Sequence, residues 1–246
     1  QEGNFNGGDI IEIIVKTEAC ANFISRHIYN FFVADEPQIP AWSIEPPQDQ
    51  EAMKILVHTF LDSDADIKEV MRVLFKSDFF KNSRFMRVKC PAEFIASTLK
   101  LTTELGPKDI RLGKLHGLSA VMGQTLLDPP TVEGWHTGKE WIDGGSLTER
   151  INYAVDLISD MNNTWSKDLV ERIVASKSEL SSEELVKNIL ENIGDLEVSD
   201  QTFEQLLEIA SEGPSVGNGK DSKEIRQKII RLYTLLVSSP EFQLAW

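Results

Sequence analysis

The sequence has few of the residues that mark several classes of protein. Two cysteines in 246 residues are too few for a disulfide framework. We favour two buried free thiols, Cys20 and Cys90, over a single disulfide. None of the four histidines stands in an HxH, HxxxH or HExxH pattern, so we expect no metal site. No apolar run approaches the roughly 18 residues that span a bilayer, and we expect no membrane insertion.

Positive charge is also scarce. Lysine and arginine number 25 against 39 aspartates and glutamates, which gives a formal net charge of −14. A phosphate backbone and an anionic lipid surface are both held by clustered cations. We therefore exclude nucleic acid as the main partner, while a protein or a surface polymer remains open. The sequence does not indicate an oligomeric state.

Apolar residues recur at helical spacing along almost the whole chain. The i, i+3, i+4, i+7 pattern places one apolar stripe on each predicted helix. No stretch alternates with the period of two that is typical of strands. The sequence therefore predicts an all-α, multi-helix, bundle-like domain with long irregular loops and little or no sheet. The clearest stripes are Met53–Leu61, Ile67–Phe75, Leu185–Ile193 and Ile225–Leu236.

Capping signals agree with these helices. A short acceptor residue followed by glutamate three positions later is typical of a helix N-terminus. Proline suits the first helical position, and glycine followed by proline suits a helix end. The predicted starts are Asp66 with Glu69, Ser146 with Glu149, Ser181 with Glu184, and Asp221 with Glu224, and a further start has Pro91 at the first helical position. The predicted ends are Leu105-Gly106-Pro107 and Glu212-Gly213-Pro214.

Three stretches predict loops: residues 34–47, 125–146 and 213–222. The second, named here the Trp loop, is long against the usual connection of about 4–6 residues, and such loops are functional or held by their own side chains. We expect a helical core over residues 1–161, which includes the Trp loop, and a C-terminal helical segment over residues 162–246.

The Trp loop carries candidate binding residues. Trp135 and Trp141, beside His136, would form a platform for a sugar or a partner chain. The alternative, which we favour, is that the indoles pack the loop into the helical core, because buried tryptophan contributes much apolar area. Arg150 lies in the helix that follows and is expected to satisfy loop carbonyls or a carboxylate.

Five segments, in order, resemble the bacterial family called domain of unknown function 1800. The resemblance implies a helical protein, often exported to the periplasm or beyond, with no established activity. It adds Lys89 and Glu93 to Trp135, Trp141 and Arg150 as candidate site residues. Family members are longer, so we expect this chain to be the C-terminal half of a longer protein. The segments are Phe31–Pro37, Asp66–Phe80, Arg87–Phe94, Gly123–Asn152 and Ser239–Gln243.

Two functions remain open at this point, and neither implies a cofactor. The first is a non-enzymatic module of an exported protein that binds a protein or a surface polymer. The second is an extracytoplasmic hydrolase with a cleft near the Trp loop that holds Glu93, His136 and Arg150, although no catalytic residue is identified. An enzyme should bring an acid and a base together in a concave pocket. A module should instead pack Trp135 and Trp141 inward and satisfy Arg150.

Overall fold

The computed structural model describes residues 3–102, 112–159, 170–175, 179–219 and 222–245. These residues are mostly helical, and their strands are two-residue pieces, so the predicted all-α class is confirmed. Within the described part, no helix is long and apolar enough to cross a membrane. The α-helices are α1 Gly7–Val15, α2 Glu18–Phe32, α3 Gln50–Asp62, α4 Ile67–Lys76, α5 Asp78–Lys81, α6 Pro91–Thr102, α7 Leu112–Val121, α8 Gly144–Ser159, α9 Ser182–Asn192, α10 Asp200–Ser211 and α11 Lys223–Ser238.

Shorter elements complete the architecture. Residues 170–174 are also helical. The 3₁₀ helices are Ile39–Ser43, Gly138–Ile142 and Glu241–Gln243. The strands are β1 Arg87–Val88, β2 Glu179–Leu180, β3 Val216–Gly217 and β4 Leu244–Ala245. Strand β1 pairs with β4, and β2 pairs antiparallel with β3, with Glu179 opposite Gly217 and Leu180 opposite Val216.

The chain forms two compact units. The first unit comprises Gln1–Val88, His136–Gly138 and Ala245–Trp246, and the second comprises Lys89–Trp135 and Lys139–Leu244. The boundary expected near residue 162 falls in the range 160–169, which lies outside the described residues, and it stays a prediction. The helix end predicted at Leu105-Gly106-Pro107 also lies outside them.

The first unit is built on α2, α3 and α4. Helix α3 packs against both α2 and α4. The predicted apolar stripes of α3 and α4 supply buried residues to one core, as helical spacing requires. That core consists of Ala21, Tyr29, Val33, Ala34, Ala52, Met53, Leu56, Phe60, Val70 and Leu74.

The second unit is centred on α11. This helix packs against α8 and α10. Helix α6 in turn packs against α8. The buried apolar residues of α11 follow the predicted stripe, and they meet buried residues of α6, α8, α9 and α10. Examples are Phe94, Ile158, Ile189, Leu206 and Leu232.

Several predicted helix ends are confirmed. The Asp66 side chain accepts from the Lys68 N–H at 2.8 Å, so it caps α4. Ser181 and Glu184 form a reciprocal capping box at α9, with distances of 3.2 and 2.8 Å. Helix α10 ends at Ser211, and Gly213 has a φ of +64° in the left-handed region that favours glycine.

Three sequence predictions are wrong in detail. Ser146 does not begin α8, because Asp143 Oδ1 accepts from the N–H groups of Gly145 and Ser146 at 3.0 and 2.8 Å, and the helix starts at Gly144. Helix α11 is capped by Ser222, which accepts from the Ile225 N–H at 3.3 Å, while the predicted cap Asp221 lies outside the described residues. The stretch 34–47 is not wholly extended, since it contains the 3₁₀ helix Ile39–Ser43.

Candidate functional site

Arg150 occupies the interior of the second unit, with an exposed fraction of 0%. Its Nε donates to Gln243 Oε1 at 2.9 Å, and its Nη2 donates to the Lys89 carbonyl at 2.9 Å. Its Nη1 donates to the Trp141 carbonyl at 3.5 Å, and the guanidinium lies 4.4 Å from the centre of the Phe94 ring. Burial lowers the Arg150 pKa to about 10. The side chain therefore joins three segments that are distant in sequence.

Lys89 is the second buried cation of this cluster. Its Nζ donates to the Phe242 carbonyl at 2.8 Å and lies 4.3 Å from the centre of the Phe242 ring. Burial, followed by the positive charge of Arg150, lowers its pKa to about 8, although Glu93 acts in the opposite direction. Phe242 in turn packs edge-on against Phe94, with ring centres 5.7 Å apart.

Glu93 and Cys90 stand at the start of α6. Glu93 Oε2 accepts from the Cys90 N–H at 2.9 Å, so the carboxylate satisfies a free amide of the helix N-terminus. Burial raises the pKa of the Cys90 thiol. Both Cys90 and Cys20 are free thiols, but they are half-buried and not fully buried as predicted. In the structure, Glu93 therefore caps the N-terminus of α6.

The two indoles of the Trp loop are turned inward to different degrees. Trp141 is buried, while Trp135 is half-buried, and its buried Nε1 has no hydrogen-bond partner among the described residues. His136 is exposed and belongs to the first unit, where Gln38 Nε2 donates to the adjacent Thr137 carbonyl at 2.9 Å. The alternative in which the indoles pack into the helical core therefore holds for Trp141, whereas Trp135 is only half-buried.

The structure brings together a part of the predicted site. Lys89, Trp141 and Arg150 are linked by hydrogen bonds, and Glu93 is near enough to raise the Arg150 pKa against the effect of burial. Since Arg150, Lys89 and Trp141 are all buried, this cluster organises the interior of the second unit. Trp135 does not take part in its hydrogen bonds within the described residues.

A pocket of about 680 Å³ lies within the first unit, and sequence reasoning missed it. This volume falls inside the roughly 300–1,000 Å³ range of ligand sites. Tyr29, Ala34 and Ser83 form its buried floor, and Asp49 and Phe79 are half-buried walls. Exposed side chains form its rim: Gln48, Gln50, Glu51, Asn82 and Met86.

A buried ion pair supports the rim of this pocket. Arg26 Nε and Nη2 donate to Glu36 Oε2 at 2.9 and 2.6 Å, and both side chains are buried. The remaining Arg26 donors reach the carbonyls of Glu45 and Pro46 at 2.9 and 3.2 Å. The guanidinium also lies 4.8 Å from the centre of the Trp42 ring. Through these contacts, the Arg26 side chain of α2 holds the proline-rich segment between Glu36 and Pro46, which leads to α3.

Glu36 extends this arrangement to the pocket itself. Its Oε1 accepts from the Gln48 N–H at 3.0 Å, and its own N–H donates to Asn30 Oδ1 at 2.8 Å. The start of α3 is therefore fixed relative to α2 before any ligand binds. Such preorganisation reduces the conformational entropy lost on binding.

Tyr29 gives the pocket a polar group at its floor. Burial raises its pKa to about 12, and the carboxylates of Asp49 and Glu36 act in the same direction. The phenol therefore remains a neutral donor at ordinary pH. Its ring packs 6.4 Å from Phe79, and its hydroxyl has no hydrogen-bond partner among the described residues. Asp49 Oδ1 accepts from the Ala52 N–H at 2.9 Å and caps α3.

No local sequence pattern marks this pocket. Its lining comes from the end of α2, the start of α3 and the residues around α5, which only the fold brings together. The proline-rich stretch between Arg26 and Gln48 was the available signal, because an ordered loop of that kind needs a buried group to satisfy its carbonyls. Among the described residues, no group of three or more His, Cys, Asp or Glu is arranged to hold a metal ion.

Comparison with known proteins gives one match. A family model with the description "Protein of unknown function (DUF1800)" matches residues 1–244, which is nearly the whole chain. No curated protein and no solved structure matches the chain. The resemblance predicted from five segments is confirmed, and it carries no activity with it.

Proposed function

The chain belongs to the DUF1800 family of proteins of unknown function, and from that premise we propose that it is a non-enzymatic binding module of an exported protein. The pocket of the first unit is the site at which it holds a protein or a surface polymer. The observation that carries this proposal is the preformed rim of the pocket at the start of α3, where Glu36, paired with Arg26, accepts from the Gln48 N–H. The exported location rests on the family resemblance.

The lining supports binding more than catalysis. Seven of its ten lining residues carry polar side chains (three amides, a phenol, a hydroxyl and two carboxylates), which suits a ligand with many hydrogen-bonding groups. The Tyr29 pKa is raised to about 12, which suits a hydrogen-bond donor and not a base at neutral pH.

The hydrolase alternative has less support. It needs Glu93, His136 and Arg150 to meet a substrate near the Trp loop. Arg150 has an exposed fraction of 0%, and its guanidinium is bound to Gln243, Lys89 and Trp141. Glu93 is engaged at the start of α6. We therefore place the site in the first unit.

Co-sedimentation with insoluble cell-envelope material from the source organism tests the proposal. Gln50→Trp places a large side chain on the pocket rim, at the exposed first position of α3. Ile55→Trp is the matched control, since Ile55 is exposed on the same helix and does not line the pocket. We expect the wild type and Ile55→Trp to sediment with the envelope, and Gln50→Trp to remain in solution.

Equal sedimentation of the two tryptophan variants would contradict the pocket as the binding site. The absence of sedimentation for the wild type would contradict the binding function. Circular dichroism of each variant confirms that α3 is retained, so that a loss of binding is not a loss of fold.

A further inference from the structure

The charge of the pocket restricts what it binds. Two of its lining residues, Asp49 and Glu51, carry a negative charge, and none of the lining residues is a lysine, arginine or histidine. Lys54 pairs with Glu51 on the exposed rim, while Arg26 pairs with Glu36 and Lys81 with Asp78, so these three cations are not paired with Asp49. A polyanion would meet the negative charge of Asp49 on the pocket wall.

The hydrogen-bonding groups of the pocket restrict the ligand further. The carboxylates of Asp49 and Glu51 only accept, the neutral Tyr29 hydroxyl is available to donate, and the amides of Gln48, Gln50 and Asn82 do both. Tyr29 at the floor and Asp49 on the wall line the same pocket. A ligand group that contacts both residues must therefore accept from Tyr29 and donate to Asp49.

A hydroxyl group meets this demand in a single atom. An ammonium group would satisfy Asp49 but offers no lone pair to the Tyr29 hydroxyl. A carboxylate or phosphate would accept from Tyr29 and be repelled by Asp49. Ala34, Phe79 and Met86 add apolar surface, which suits the C–H face of a sugar ring. A hydroxyl-rich ligand without charge fits both parts of the lining.

We propose that the pocket of the first unit binds a neutral glycan, with Tyr29 donating to a sugar oxygen and Asp49 accepting from a sugar hydroxyl. This inference rests on the proposed binding function and names its ligand class. The groups that select the glycan are the wall carboxylate and the floor phenol, while the rim amides contact neighbouring hydroxyls along the chain.

Isothermal titration calorimetry with the full chain tests this proposal. The probes are four neutral hexaoses (cello-, malto-, laminari- and mannohexaose), an oligogalacturonate as the anionic probe and decalysine as the basic peptide. We expect at least one neutral hexaose to bind, and neither charged probe to bind.

Two conservative variants locate the interaction. Tyr29→Phe keeps the ring and removes the hydroxyl, and we expect hexaose binding to weaken about three- to tenfold. Asp49→Asn keeps an acceptor for the Ala52 N–H at the cap of α3 and removes the charge, and we expect at least a similar loss. Tyr233→Phe is the control, because this buried tyrosine hydroxyl of the second unit also has no partner among the described residues.

The outcomes separate this inference from the proposed function. If decalysine binds and the hexaoses do not, with Tyr29→Phe or Asp49→Asn weakening the binding, the pocket is a peptide site and the glycan assignment is overturned. If none of the four hexaoses binds, the assignment is overturned even where envelope sedimentation remains sensitive to Gln50→Trp. Hexaose binding that Tyr233→Phe weakens as much as Tyr29→Phe would also overturn it.

Discussion

Arg150 and Arg231 are arginines of the second unit in opposite environments. Arg150 is buried and donates to Gln243, Lys89 and Trp141, which come from three separate segments. Arg231 is 57% exposed and pairs with Glu212 at 2.7 Å. A buried charge held by directed hydrogen bonds is costly to disturb, whereas an exposed ion pair contributes little.

Arg150→Lys should therefore destabilise the protein far more than Arg231→Lys. Lysine keeps the positive charge but lacks the planar fork that reaches several acceptors, so buried carbonyls lose their donors. We expect the free energy of unfolding to fall by about 2–3 kcal/mol for Arg150→Lys and by less than about 0.5 kcal/mol for Arg231→Lys. Urea unfolding measures both values, and equal losses would contradict the structural role of Arg150.

At the scale of the element, the helices were predictable because their signals are local. The apolar stripe of Ile67–Phe75 and the Ser181–Glu184 capping box each lie within a few turns of chain, and both reappear in the structure. The start of α8 was misplaced because Asp143 and Ser146 both offer capping oxygens, and only the folded loop decides between them. Local pattern does not resolve that competition.

The candidate site was less predictable, because it depends on distant contacts. Arg150 was rightly expected to satisfy loop carbonyls, since it donates to the Trp141 carbonyl. Its bond to Gln243, 93 residues away, has no signature in the sequence. The pocket around Tyr29 likewise joins three separated segments. In the sequence, Arg26 and Glu36 look like ordinary charged residues of an amphipathic helix and a loop, so nothing there marks them as a buried ion pair.

Glu241 links two elements and should make stability depend on pH. It follows α11 in the chain, and its carboxylate accepts from the Ser199 N–H at 2.9 Å and from the Thr202 hydroxyl at 3.1 Å, at the start of α10. Burial alone would raise its pKa, but these hydrogen bonds outweigh burial and lower it from 4.5 to about 2. The stabilisation is present above the unfolded pKa and is lost as the pH falls towards the folded value.

Glu241→Gln should therefore lower the free energy of unfolding at about pH 6, and the difference from the wild type should shrink towards about pH 2.5. Glu204→Gln, an exposed change on α10, is the matched control and should leave the stability nearly unchanged at both values. Chemical unfolding at the two pH values measures the effect. A difference that is the same at both pH values would show that the charge of the Glu241 carboxylate does not contribute to the free energy of unfolding.

At the scale of the whole molecule, the net charge of −14 produces a negative electrostatic potential around the protein. Many of the acidic residues are solvated on helix faces, where they repel one another over distances comparable to the Debye length of about 10 Å at 0.1 M salt. The same field opposes the approach of nucleic acid and other polyanions. It adds to the local effect of Asp49 at the pocket, which also disfavours an anionic ligand.

Raising the NaCl concentration from about 0.02 to 0.3 M should therefore increase the thermal unfolding midpoint, because salt screens this self-repulsion. The triple variant Glu191→Gln, Glu204→Gln and Glu208→Gln removes three exposed negative charges from α9 and α10. We expect its midpoint to rise less than that of the wild type over the same interval. Calorimetry at matched protein concentration measures both, and an equal rise would mean that salt acts through apolar burial and not through charge. The distinction matters for the pocket, since only a charge-driven effect extends to the exclusion of anionic ligands.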